Sequence, residues 1–440
     1  MKYLKHFANA QEAATILATW PFNTISSIEG QSGIRYSEGV PVGPDYSEPF
    51  YIDVRGAVTL AATSGLQMST DKTTWTDTTA TTLPTGKTYF RVASDQSTPL
   101  KPDWTEDNSS DYDIGGNINS LVKTSFENDT NCYTFFMPYA GFFQMKTKLK
   151  SAGNLILPAT TLAQNCYSNM FNGCTSLTTA PALPATTLAM GCYGYMFDGC
   201  TSLTTAPALP ATTLADYCYS NMFRDCSSLT TAPALPATTL AMECYSYMFQ
   251  GCTSLTAAPT LPATTLADRC YTSMFQRCTS LTTAPALPAT TLAQYCYVNM
   301  FYNCTSLTTA PALPATTLAN YCYDTMFYGC TGLTTAPELP ATTLAQGCYN
   351  SMFNGCTSLT TAPVLPATNL IKFCYNGMFS NCTNLNYIKC LATDISASKC
   401  LQNWTKSVAA TGTFVKDTNM PSWTTGTDGI PSGWTVQDAA

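Results

Sequence analysis

The chain has 440 residues and a formal net charge of −7, with 45% hydrophobic, 12% aromatic and only 11% charged residues. It is too long for one compact core yet apolar enough to fold, so two or more folded units are expected, with Thr, Ser, Asn and Tyr supplying solubility. An acidic balance without any long Lys/Arg run speaks against nucleic acid and anionic membranes as partners, and no apolar run approaches the roughly 20 residues of a bilayer-spanning helix.

Residues 1–48 are read as a helix-and-hairpin anchor. In MKYLKHFANAQEAATILATW, His6, Asn9, Gln11 and Glu12 interrupt what would have to be the apolar core of a secretion signal, so none is expected here. Phe7, Ala13, Leu17 and Trp20 instead mark a capped amphipathic helix, and ISSIEGQSGIRYSEG predicts a hairpin turning at Gly30 and Gly33. This opening is similar to N-terminal segments of structural proteins of Bacteroidota phages, which implies attachment to other structural proteins. Residues 49–130 alternate as an antiparallel β domain: Phe50, Ile52 and Val54, then Val58 and Leu60, then Leu66 and Met68, then GKTYFRVAS after Pro84. A small all-β, sandwich-like domain is expected. Its acidic stretch, Asp103, Glu106, Asp107, Asp111 and Asp113, lacks the spaced ligands and Gly of a calcium loop and reads as a solvated loop.

From residue 131 onward a repeat takes over. Residues 131–165 form an N-terminal cap and first partial repeat, 166–390 the array, and 391–440 a last partial repeat and cap. CYxxMFxxC recurs nine times at a period of 26, beginning at Cys166, Cys192, Cys218, Cys244, Cys270, Cys296, Cys322, Cys348 and Cys374, with a nearly invariant TSLTTAPALPATTLA between copies. Leu162, Cys166 and Met170, with Ala163, Tyr167 and Phe171, fall on two adjacent i, i+4 rows, which predicts a helix of about three turns. Thr161 with Gln164 has capping-box spacing, and Gly173 stands where a left-handed residue ends a helix. LTTAPALP should be extended, with Leu177 and Ala180 inward, a strand of two to four residues around Thr178–Ala180, and a polyproline-like arm after it, because Pro181 and Pro184 forbid helix and remove ladder N–H groups. Only stacking makes one core of such units. CYTFFMPYAGFFQMKTKLK should close the first coil. At the far end Trp404 replaces the motif Met and Val408 its second Cys, so the tail is expected to form a last strand and a lid under Trp423 and Trp434.

The segment MFxGCTSLTTAPALP resembles the AFxGCxSLxxIxIP consensus of BspA-like leucine-rich repeats, found in surface proteins of gut Bacteroidota and some of their phages. Phe171, Cys174, Leu177 and Pro184 fall in the family's order, and the resemblance runs from about residue 130 to 410. It departs in its 26-residue length and in Ala180 and Pro181, which replace a β-branched strand core. The resemblance implies an α/β solenoid of the leucine-rich-repeat class.

Eighteen of the 21 cysteines lie in the repeat motif, and the chain has one histidine, His6, so zinc lacks partners. A bridge within a repeat is disfavoured for a helix, since eight helical residues rise roughly 12 Å, whereas one between neighbouring repeats is geometrically conceivable. Buried, reduced thiols are the expectation. No cofactor and no catalytic group is read, because the repeats hold no His to serve as base. Functional information should lie where the near-identical repeats differ, on the outer face of the expected helix: Asn165, Tyr217, Arg269, Tyr295 and Tyr321 share one column, Tyr195 and Tyr247 another, and Arg224, Tyr302 and Tyr328 a third. The candidate binding residues are Tyr217, Arg269, Tyr295, Tyr302, Tyr321 and Tyr328, types enriched in recognition surfaces. Drift on an exposed face would scatter residues in the same way, and the sequence does not choose between the two. The uniform Thr178/Thr179 array on the strand side suits only a repetitive partner. These readings add up to a non-enzymatic, virion-associated structural or fibre-like protein that displays an adhesion surface to host cell-surface or mucosal glycans or proteins. A bacterial cell-surface adhesin is the alternative, and a homo-oligomer is compatible with either.

Overall fold

The computed structural model describes residues 34–37, 40–106, 110–132, 139–420 and 422–439. The expected N-terminal helix and the turn at Gly30 and Gly33 lie outside these residues. The hairpin that is described falls later: β1 (Ile34–Ser37) pairs antiparallel with β2 (Val40–Pro44), so the stretch expected as a hairpin's second arm is the first arm of this one.

The β region follows the alternation closely, because strands with one wet face must place every second side chain inward. β3 (Tyr51–Val54), β4 (Val58–Leu60), β5 (Leu66–Ser69) and β8 (Gly86–Val92) fall on the four predicted runs. They are joined by the short β6 (Thr76–Asp77) and β7 (Thr81–Thr82), and by β9 (Trp104–Glu106) and β10 (Tyr112–Asn117). A three-stranded sheet, β7-β4-β9, accompanies a six-stranded sheet whose order is β11-β10-β3-β8-β5-β6. The outermost member, β11 (Leu149–Ile156), belongs to the first turn of the repeat array and pairs parallel with β10. Glu106 secures this junction: its carboxylate accepts hydrogen bonds from the Tyr112 hydroxyl at 2.6 Å and from the Lys148 N–H at 3.3 Å. Buried Asn119 adds another tie, accepting the Tyr139 hydroxyl at 2.8 Å. One hydrophobic core therefore runs unbroken from Phe50 to Trp434.

The repeats build a solenoid, but its motif side is not helical, and among the described residues there is no α-helix. CYxxMFxxC forms a ribbon of overlapping turns. Alternate amides bond within the coil, Cys166 N–H to the Ala163 carbonyl and Ser168 N–H to that of Asn165. The others reach the next coil, Asn165 N–H to the Met190 carbonyl, Tyr167 to Cys192 and Asn169 to Gly194. Every fourth residue is left-handed, with φ of 53° at Asn165, 56° at Asn169 and 73° at Gly173. The i, i+4 rows thus arise from a strict period of four. On a helix of 3.6 residues per turn, each step of four would drift by about 40°, whereas here Cys166, Met170 and Cys174 are all fully buried.

The other side confirms extended backbone, but in place of a continuous short strand it shows single-residue parallel bridges, such as Thr205–Thr231 and Thr283–Thr309. Proline is the physical reason, since each AP step removes a ladder donor. The ends of the array supply the control: β11 has no proline and runs eight residues, and NYIKC, which lacks the proline, forms β12 (Tyr387–Cys390). The tail adds β13 (Thr413–Lys416) and β14 (Thr435–Asp438) in parallel, two strands where one was expected. Trp404 stacks on Trp423 at 5.9 Å to close that end.

Inside, Tyr167 and its equivalents form one column of stacked rings and Phe171 and its equivalents a second, with neighbouring centroids 5.8 Å apart at Tyr193–Tyr219 and 5.6 Å at Phe197–Phe223. Leu183 and Ala185, which the sequence reading did not place inside, are buried as well. The cysteine expectation needs one correction: Cys166 is bridged to Cys132 in the N-terminal cap, while the other 19 cysteines are free and buried. The second thiol of a coil points at a carbonyl, as Cys200 Sγ does toward Phe171 at 3.2 Å.

A trough on the variable face

A four-residue period with two buried and two outward residues sets four outward columns on the ribbon, typified by positions 165, 168, 169 and 172. Column 168 is small through five coils, Ser168, Gly194, Ser220, Ser246 and Thr272, and then enlarges to Val298, Asp324, Asn350, Asn376 and Gln402. Small residues between larger columns make a trough. Its floor hydroxyls are tied to backbone, Thr272 Oγ1 donating to the Tyr295 carbonyl at 2.9 Å.

One wall is column 165, carrying Tyr217, Glu243, Arg269 and Tyr295. All four are left-handed, at φ 59°, 51°, 56° and 57°. A large L-residue there is disfavoured by roughly 1–2 kcal/mol, and the same column uses glycine at Gly191 and Gly347. The ribbon imposes this conformation on every coil, and the same column takes Asn165 and Phe373 elsewhere along the array. The wall is internally braced: Arg269 Nη1 lies 3.5 Å from the Glu243 carboxylate, and its guanidinium sits 4.9 Å from the Tyr295 ring centre. The opposite wall carries Tyr195 and Tyr247, with Arg224 beside Tyr195 at 5.5 Å. Arg224 donates to both carboxylate oxygens of Asp198, at 2.9 and 2.7 Å, and burial pushes that carboxyl's pKa up against the pull of the guanidinium.

Two adjoining concavities result, of about 380 Å³ and 320 Å³, sharing Glu243 and Tyr247. The first reaches from Asn165 to Gln250, and the second continues to Asn299. Of the candidate binding residues, Tyr217 lines the first, and Arg269 and Tyr295 the second. Tyr302, Tyr321 and Tyr328 sit beyond the closed end, in two surface stacks, Tyr295–Tyr321 at 5.3 Å and Tyr302–Tyr328 at 4.7 Å. Of the trough's other contributors, Tyr195, Tyr247 and Arg224 belong to the columns where the sequence showed the coils to differ, and Glu243 was not singled out. The signal that could have joined these columns into one trough is the run of small residues in column 168, visible only when the repeats are aligned. Across the coil, Thr205, Thr231, Thr283 and Thr309 stay exposed and uniform, as the sequence implied.

A family model described as a BspA type leucine rich repeat region matches in six copies, over residues 140–282, 194–334 and 297–406, together more than half of the chain. No curated protein matches.

Proposed function

The chain belongs to the BspA type leucine-rich repeat family, and on that premise we propose that it is a non-enzymatic, surface-displayed adhesion protein whose binding site is the trough. The observation that carries this reading is the pair of adjoining concavities, walled by Tyr and Arg residues, on a face where near-identical coils differ. Rigid aromatics with few rotatable bonds suit adhesive contact, and host cell-surface or mucosal glycans or proteins are the partners we assign. In the setting favoured by its N-terminal resemblance, the protein is a virion-associated, fibre-like component attached through residues 1–48. On a bacterial cell surface the same face would serve as an adhesin. No helix among the described residues is long and apolar enough to cross a membrane.

Filling the floor tests the site. Ser220→Asn with Ser246→Asn copies what Asn350 and Asn376 place in the same column, so folding should survive. Adherence of the full chain to host cells should fall at least tenfold; unchanged adherence would end the assignment. Immunogold labelling of purified virions and of intact bacteria separates the two settings.

A further inference from the structure

The trough's chemistry narrows the class of partner, an inference that rests on the adhesive reading above. Its shape comes first. The floor and walls run through six successive coils, from that of Asn165 to that of Tyr295. The small floor column spans five of these coils, from Ser168 to Thr272, and four steps at the roughly 4.8 Å spacing of paired strands carry it roughly 19 Å along the solenoid axis. An occupant that fills it is elongated.

Polarity comes second. Protein partners are anchored by apolar or aromatic side chains inserted into dry, hydrophobic pockets. The first concavity is lined by no Leu, Ile, Val, Met, Phe or Trp, and the second has only Val298. Charge comes third: each lining cation is matched, Arg224 by Asp198 and Arg269 by Glu243. No surplus cation is offered to phosphate, sulfate or uronic acid.

What remains exposed is aromatic ring and paired donor and acceptor. Tyr195 is 37% exposed, and Tyr247 stands two coils along in the same column. A pyranose presents a C–H face that packs on such a ring and a rim of adjacent hydroxyls, each both donor and acceptor. An arginine–carboxylate pair sets N–H donors beside carboxylate acceptors and so meets two neighbouring hydroxyls at once. We infer that the trough binds an uncharged polysaccharide chain lying along the solenoid axis, its rings on Tyr195 and Tyr247 and its hydroxyls on Arg224 and the Arg269–Glu243 pair.

Affinity electrophoresis of the full chain tests this, using gels that contain laminarin, xyloglucan, galactomannan or dextran, with alginate and heparin as anionic counterparts. At least one neutral chain should retard the protein. Tyr195→Ala with Tyr247→Ala should weaken that retardation at least tenfold, while Tyr195→Trp with Tyr247→Phe, which keeps both rings, should hold it within a few-fold. Circular dichroism of each variant verifies the fold, and Ser246→Asn, which blocks the floor without touching a ring, should weaken retardation too. Retardation by anionic polymers alone, by no polymer, or equally in the alanine and floor variants would overturn the inference. Adherence to cells that persists when no neutral chain is bound would overturn the carbohydrate assignment and leave the adhesive function standing.

Discussion

The rings of Tyr302 and Tyr328 lie face to face on adjacent coils, 4.7 Å between centroids and 4° from parallel. The pair lies past the end of the trough and occupies its own ring faces, which makes it a clasp between coils. Tyr302→Ala should lower stability by about 1 kcal/mol and leave adherence within twofold of the parent, whereas Tyr217→Ala with Tyr295→Ala should reduce adherence severalfold. Thermal unfolding and a cell-binding assay on the same preparations check both halves.

The thiols should be silent in the folded protein. Burial pushes the Cys192, Cys270 and Cys322 thiols up to about 12, so almost no thiolate exists at neutral pH. A thiol reagent at pH 8 should label almost nothing until denaturant is added, after which it should count 19 thiols without reductant and 21 with it.

Asp324 supplies a pH dependence of known sign. Burial raises its carboxyl from an ordinary value near 3.8 to about 6, although the Asn350 amide donates to it at 2.8 Å. The folded state thus holds this proton more tightly than the unfolded chain. Its contribution is fully present below about pH 4, is lost as pH rises through about 6, and is flat above. Asp324→Asn, which matches Asn350 and Asn376 in the same column, should remove that slope and raise the unfolding midpoint at pH 7 by a few degrees. Melts from pH 4 to 8 for the two proteins would reveal the difference.

Because each coil contacts only its neighbours, deleting residues 322–347, one full period, should leave a folded, shorter solenoid with both ring columns intact. Deleting residues 322–334, half a period, should not fold, since it would set Tyr against the strand side. Small-angle scattering and circular dichroism distinguish the two.

The sequence by itself determined the period, the coil count and the buried set. Cys166, Tyr167, Met170, Phe171, Cys174 and Leu177 had to go inward because a repeat can hide such side chains only against its copies, and the atypical ends followed from the same need. It could not decide between helix and turn ribbon. Both bury i, i+4 rows, and the choice rests on amides such as those of Asn165 and Tyr167, whose acceptors, the carbonyls of Met190 and Cys192, lie 25 residues away. A left-handed residue at every fourth position holds only once that next coil is in place. The same non-locality hid the Cys132–Cys166 bridge and the trough. A floor in column 168 and walls in its neighbouring columns become one concavity only when successive coils stack in register, and that register is a property of the folded solenoid rather than of any one repeat.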